Sequence, residues 1–509
     1  MITHASDFPP LSTLLARLTP RIVDSLSAVR HLAIEAVWLS FQLTFLHKGQ
    51  ATQNGGEEDM IGDGGDDTTL FNLQQFKAIH LGFDGKLEPS KGREAIIEIS
   101  KQIECHLPQS QLQTYISALF KMLNDKQNNV STAVALLLSI VLKDRGRLLN
   151  SEAEIIISTI LEHLPLVHSI TQTYADLLNA LTYFSDEQLN IVVEILLKQP
   201  LPYSPEIIDS WKSLSKNSYQ FSGACDQILD SLNCLSAAVE NGSGGSGDKA
   251  YLSHYEIVDL SGGVIVKLVK PLICSNFAAL TQLLNGVEDD EELKKRIPQI
   301  LYTIFHNLSS VIDSQYPSAN PMPPLSSISP SSPGNTSSST TTSTTSTSDG
   351  TSSMIKKKRD PFVITAELKR ISPSPAALIA ESLKTLLQRI KAENVIEAMN
   401  GERAWTQLIQ SDSYISAIGV ACRSLCDYYP GYMRSLMLLS MGNVQSPCNY
   451  LRISSAAILS ALITRCPGGE NNGQFDETIL DKVVEELKHF VKDKHLLVRK
   501  TKPHYFRML

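Results

Sequence analysis

The chain is poor in aromatic residues, which make up 6% of its 509 positions. Basic residues rarely interleave with those it has, so a stacking platform for single-stranded nucleic acid is unsupported. No apolar run reaches the ~18 residues that a membrane-spanning helix needs. The first residues lack the basic region and apolar core of a secretory signal. Cysteine is scarce and unpatterned. The eight cysteines (Cys105, Cys225, Cys234, Cys274, Cys422, Cys426, Cys448 and Cys466) form no C-x-x-C, and no histidine cluster completes a zinc spacing. Cys422 and Cys426 fall four apart on one face of an expected helix, where buried small hydrophobes are the ordinary reading. Scattered thiols of this kind point to a reducing compartment. H-E-x-x-H, G-x-S-x-G and the phosphate-loop pattern are all missing. Nor is there a surplus of basic charge: the net charge is -8 and the pI about 5.9, which argues against a dedicated nucleic-acid binder.

Apolar residues are 42% of the chain, and they lean on Leu, Ile, Val and Ala, as helices packed on helices require. A chain of this length is too long for one compact core unless that core is extended. The informative stretch runs from Gln111 to Gly146. Leu112, Tyr115, Ile116, Leu119, Phe120 and Leu123 make one helical stripe. Asn124, Asp125 and Lys126 then supply turn chemistry. Ala133 to Leu142 follows, apolar almost all the way round, and a helix like that needs partners on several sides. A stack of helical hairpins supplies them. The expected fold is all-α, an α-solenoid of HEAT/armadillo-like hairpins. Within it, Val130 to Lys143 is the inner helix, and the helix before it is the one with a face for solvent or a partner.

The rest of the chain reads as more of the same with polar interruptions. A HEAT-like block spans 11–239. Its helical pattern over Arg21 to Leu46 runs through Asp24, and an acidic, Gly-rich loop covers 49–69. The Asp-Gly-Gly-Asp-Asp of that loop lacks the alternating ligands and closing Glu of an EF-hand. Further helices are expected over 70–81 and 93–105, then over 151–164 with Ser151 as N-cap and Glu154 completing a capping box. A hairpin over 170–198 has Ser185 as its inner cap. Pro200, Pro202 and Pro205 form an elbow before a helix carrying Trp211. A Gly/Ser linker covers 240–250, and helical repeats are expected over 251–314, short and irregular at first. Residues 315–360 form a Pro/Ser/Thr-rich insertion, expected to be disordered because it has too little apolar surface to offset ordering entropy. It ends in the basic run Lys356, Lys357, Lys358 and Arg359, a candidate contact patch for an acidic partner or an import signal. C-terminal HEAT-like repeats cover 361–500.

Two segments resemble the HEAT-repeat turn, in which an Asp precedes a Val-Arg pair opening the second helix: Asp24 to Arg30 and Asp493 to Arg499. Other segments resemble the C-terminal part of the maestro heat-like repeat family. They are Asn124 to Leu149 with Lys143-Asp-Arg-Gly146; Gln199-Pro-Leu-Pro202 followed by Ile207, Trp211, Ser213 and Leu214; Arg452-Ile-Ser-Ser-Ala456 with Leu459 and Leu462; and Val498-Arg499-Lys500. The resemblance spans Leu11 to Lys500 outside the two polar insertions. It implies an all-helical solenoid without known catalytic residues, so no site residue carries over. Family members are commonly longer, and the tail after Lys500 departs from the expected helix; both point to a piece of a longer protein.

The function expected is a non-enzymatic, protein-binding scaffold or adaptor, with no cofactor and no bound metal. It would be cytoplasmic, reaching organelle membranes through a partner. The alternative is a nuclear or nucleic-acid-associated factor acting through residues 356–359.

Overall fold

A computed structural model describes residues 10–53, 89–240, 254–260, 264–317, 362–465 and 477–500. The expected helix at 70–81, most of the acidic loop, residues 241–253, and the insertion from 318 to 361 with Lys356–Arg359 lie outside the described residues. The chain is an array of helices: α1 (Leu11–Leu18), α2 (Ser27–Gln53), α3 (Pro89–His106), α4 (Leu112–Met122), α5 (Asn128–Arg145), α6 (Ala153–Val167), α7 (Thr171–Leu197), α8 (Pro205–Ser215) and α9 (Ser218–Glu240). After a hairpin of β1 (Tyr255–Leu260) and β2 (Val264–Val269) come α10 (Pro271–Gly286) and α11 (Asp290–Val311). The last block holds α12 (Ala366–Ile371), α13 (Pro375–Arg389), α14 (Glu393–Gly401), α15 (Ala404–Leu408), α16 (Tyr414–Tyr428), α17 (Pro430–Met441), α18 (Asn449–Ile463), α19 (Glu477–Val491) and α20 (Leu496–Lys500).

The helices stack in two layers. In one, α3 packs on α5, α5 on α7, α7 on α9, α9 on α11 and α11 on α18. In the other, α1 packs on α4, α6 on α8, α8 on α10 and α10 on α13. A single apolar cluster runs from Leu11 to Val498 between them, as a solenoid core must. The inner-layer helix α5 behaves as its composition demands. Val134, Leu137, Leu138 and Leu142 are wholly inaccessible, and even Ser131 and Ser139 are buried. The Ser131 hydroxyl donates to Leu123 O at 2.6 Å and the Ser139 hydroxyl to Leu136 O at 2.9 Å, which answers the cost of burying them.

Where two helices cross closely, glycine is required. A Cβ on Gly286, at the end of α10, would lie 2.7 Å from Lys212 Cα on α8. One on Gly146 would meet the Phe184 ring at 3.0 Å. The last block is tied back to the first through the Gln199–Pro202 segment: the Leu201 N–H donates to Val363 O at 2.9 Å, and its carbonyl accepts from Thr365 N at 2.9 Å.

Several local expectations are corrected. Asp24 is not inside a helix; it has extended backbone (ψ 151°) between a 3₁₀ turn, Thr19–Val23, and α2. α2 continues to Gln53, so the first residues assigned to the acidic loop are helical. Ser151 does not cap α6. It lies in a 3₁₀ turn, Asn150–Glu152, and its hydroxyl donates to Glu152 at 2.8 Å. α6 continues through Pro165 to Val167. Ser185 does not separate two helices. Its hydroxyl turns back to Leu181 O at 2.7 Å, as serines inside helices do; the two helices expected over 170–198 are both present within α7 and meet at a kink three residues further on, at Gln188 (φ -124°, ψ 29°). Tyr255–Leu260 and Val264–Val269 pair as antiparallel strands, Tyr255 with Val269 and Leu260 with Val264, where helical repeats were expected. Gln315, placed in the insertion by composition, pairs with this hairpin: its N–H donates to Lys267 O at 2.8 Å.

Candidate binding groove

Among the described residues, the outer layer opens into a groove between α4 and α6. α6 is separated from α5 by two 3₁₀ turns, Gly146–Leu148 and Asn150–Glu152, and α4 and α6 pack far less closely than α1 on α4, α8 on α10 or α10 on α13. They approach through the rings of Phe120 and His163, whose centroids are 5.9 Å apart. Between them lies a groove of about 310 Å³, at the lower edge of the range of ~300–1,000 Å³ typical of ligand pockets. Its floor is Ile116, Phe120 and Ile156, all nearly inaccessible, and its lip carries Ile155, 66% exposed. The apolar stripe of α4 supplies Ile116 and Phe120. Gln113, Ser117, Lys121 and Asn124, one step round that helix, form the polar wall. The opposite wall is Glu152, Thr159 and His163. His163 is held in place by Nδ1, 2.8 Å from Thr159 O. The contact between Phe120 and His163 brings the C-terminal halves of the two helices together, so Lys121 and His163 mark one end of the groove and Glu152 the other.

The family model of Maestro HEAT repeats matches residues 2–229. A relative from Caenorhabditis elegans, "Maestro heat-like repeat-containing protein family member 1 homolog", is 34% identical over 498 residues, 98% of this chain and 25% of its own length. Over almost its whole length the chain is similar to the Maestro heat-like repeat family. The mouse "Maestro heat-like repeat-containing protein family member 1" is 19% identical, over 98% of this chain and 26% of its own length. This chain thus spans about a quarter of each relative. An engineered protein of known structure aligns over 96% of this chain and 97% of its own at 12% identity, with a TM-score of 0.22, too low to bear on the fold.

Within the array the repeat turns share one construction. Asp24, Asp125, Ser446 and Asp493 each accept, on the side chain, the N–H two residues on: Leu26 at 3.0 Å, Gln127 at 2.9 Å, Cys448 at 3.2 Å and His495 at 2.7 Å. Six residues after the acceptor, Arg30, Arg452 and Arg499 each donate from Nη1 to the carbonyls of that acceptor residue and the next, at 2.6–3.1 Å. Adjacent turns are cross-linked. Arg21 binds Asp24 at 3.1 Å and Asp125 at 2.5 Å, and Gln127 Nε2 donates to Asp24 at 3.1 Å. Arg452 Nε reaches Asp493 at 2.7 Å. Burial acts to raise the Asp24 carboxyl, but the Leu26 N–H, Arg21 and Gln127 outweigh it and hold the group below the ordinary carboxylate range. Asp493 is lowered in the same way: Arg452 and the His495 N–H outweigh burial.

The sequence reading marked Asp24 and Asp493 as HEAT-like turns and Asp125 as turn chemistry without that likeness, and it missed the turn at Ser446. The acceptor-x4-Val/Leu spacing was the available signal. It was masked where Ser131 replaces the arginine and where Ser446 replaces the aspartate. Cys422 and Cys426 both lie buried on α16. Among the described residues no three His, Cys, Asp or Glu side chains are grouped to hold a metal ion, and no helix is long and apolar enough to cross a membrane.

Proposed function

We propose that the chain is a non-enzymatic protein-binding scaffold and that the groove between α4 and α6 is where a partner docks. The groove between α4 and α6, with an isoleucine left exposed on its lip, carries the reading. A family of helical repeats supports it, since stacked hairpins offer long surfaces for non-covalent recognition. The groove belongs to the α4–α5 hairpin, whose second helix is consumed by the core and whose first is left a free face.

The test is site-specific photo-crosslinking in cells. With p-benzoylphenylalanine at position 117, on the groove wall, discrete protein adducts are expected. They should disappear when Ile155→Asp is added, while a probe at position 98, on the exposed side of α3, yields none of them. Identical adduct patterns from both positions, or adducts indifferent to Ile155→Asp, would remove the groove from consideration.

A further inference from the structure

Resting on that reading, we infer that the groove's occupant is an amphipathic helix, acidic at the end beside Lys121 and His163 and basic at the end beside Glu152. Three observations carry this. First, both walls are α-helices, whose backbone groups are bonded within themselves. No row of unpaired N–H and C=O groups is offered, as strand addition needs, so recognition falls to side chains. Elsewhere in the same layer the neighbours are helices laid side by side, α8 on α10 and α10 on α13. A helix laid along the mouth of the groove would pack side by side with α4 and α6 in the same way.

Second, the floor is apolar but narrow. Ile116, Phe120 and Ile156 are spaced along one groove of about 310 Å³, which leaves room for a few side chains and not for a folded edge. A helix meets such a floor with two apolar anchors three or four residues apart. Ile155 on the lip would lose its exposure to the same ridge.

Third, the charges are separated along the groove. Lys121 makes no ion pair with any described residue, and beside it His163, held by Nδ1 against Thr159 O, lines the groove. At the far end the Glu152 carboxylate accepts only the neighbouring Ser151 hydroxyl, at 2.8 Å, among the described residues. A helix with opposite charges at its two ends satisfies both without burying either; one with like charges at both ends meets repulsion at one of them.

The probe is a fluorescein-labelled stapled helix with two leucines four residues apart, Glu at one end and Lys at the other, titrated against the full 509-residue chain by anisotropy. Two further versions carry Lys or Glu at both ends. The mixed-charge helix should bind about 1.5- to fivefold more tightly than either, since the exposed ion pair it alone makes at one end contributes ~0.2–1 kcal/mol. Lys121→Glu should shift the preference to the Lys-Lys helix by a similar factor. Ile155→Asp should abolish binding of all three while leaving the circular dichroism unchanged, because that side chain is already exposed. Binding that needs Ile155 but ignores the charges overturns the inference and leaves the docking groove standing. No binding by any helix, or binding indifferent to Ile155→Asp, overturns both. Sedimentation that shows a dimer lost in Ile155→Asp identifies a second copy as the occupant and overturns the inference as well.

Discussion

A buried carboxylate carries the first repeat turn. Asp24 is 3% exposed, yet it accepts from the Leu26 N–H, Arg21 and Gln127. Asp24→Ala leaves those donors facing a cavity, and its cost combines a lost cap with unsatisfied polar groups, about 2–4 kcal/mol. Urea denaturation followed by circular dichroism measures it. The folded-state pKa lies below the unfolded one, so the contribution is present above the ordinary carboxylate range and fades as pH falls through the folded value. The gap between wild type and variant should therefore narrow in acid; a gap independent of pH would mean that the carboxylate contributes shape and not charge. The Asp-x4-Val-Arg pattern made this turn legible, because the geometry needs an acceptor, an apolar plug and a carbonyl-binding arginine at fixed offsets. Ser446 supplies the acceptor in place of an aspartate, and at the Asp125 turn Ser131 stands at the arginine position and donates to Leu123 O instead, so the turn survives at both places and the pattern does not.

Among the elements, the hairpin and the helices around it form the least sequence-evident joint. His254, at the base of the hairpin, is buried with Nε2 3.4 Å from Leu232 O on α9 and its ring 5.3 Å from that of Tyr450 on α18. His306 on α11 is buried against Ser454 of α18 and packs its ring 4.0 Å from that of Tyr302, whose hydroxyl accepts from Asn443. Burial pushes His254 down to about 4, with the charges of Lys267 and Lys270 adding to it against the Leu232 carbonyl, and burial pushes His306 down to about 3, helped by His254. Both folded values lie below the unfolded value of about 6.5. Stability from the neutral rings is thus complete above pH 6.5 and is lost as pH falls toward 4 and then 3, at about 1.4 kcal/mol per pH unit for each histidine. Urea midpoints between pH 7 and 4.5 should fall accordingly, and His306→Asn should roughly halve the slope. A flat profile would contradict the buried pair. The hairpin itself had a signal, two runs rich in β-branched residues around Ser261-Gly-Gly263, which the surrounding helical pattern outweighed. The serines at 151 and 185 misled for another reason: a hydroxyl can cap a helix or bond back to its own turn, and only the path of the neighbouring chain decides.

Across the whole molecule, the core is continuous from Leu11 to Val498, and the chain on either side of residues 318–361 is fastened locally, Gln315 to β2 and Thr365 to Leu201. Replacing 318–361 by a Gly/Ser linker of similar length should therefore leave the helical signal and a single cooperative melt. Loss of either would show that the insertion contributes to the core.

Sequence alone determined that this chain is a helical array and that its Gln111–Gly146 hairpin is a repeat unit, because burial imposes a period on side chains and α5 has no polar face to offer water. It also carried the resemblance to the Maestro heat-like repeats. Only the tertiary structure decided which joint between repeats closes and which opens. The α4 stripe looks equally ready to pack on either neighbour. It closes on α1, while the two 3₁₀ turns before α6 coincide with the groove on its other side. Helix spacing of that kind is a property of pairs of elements far apart in sequence, and no single stretch of the chain encodes it. The hairpin singled out as a core unit thus has its partner-facing side defined by what α6 fails to cover.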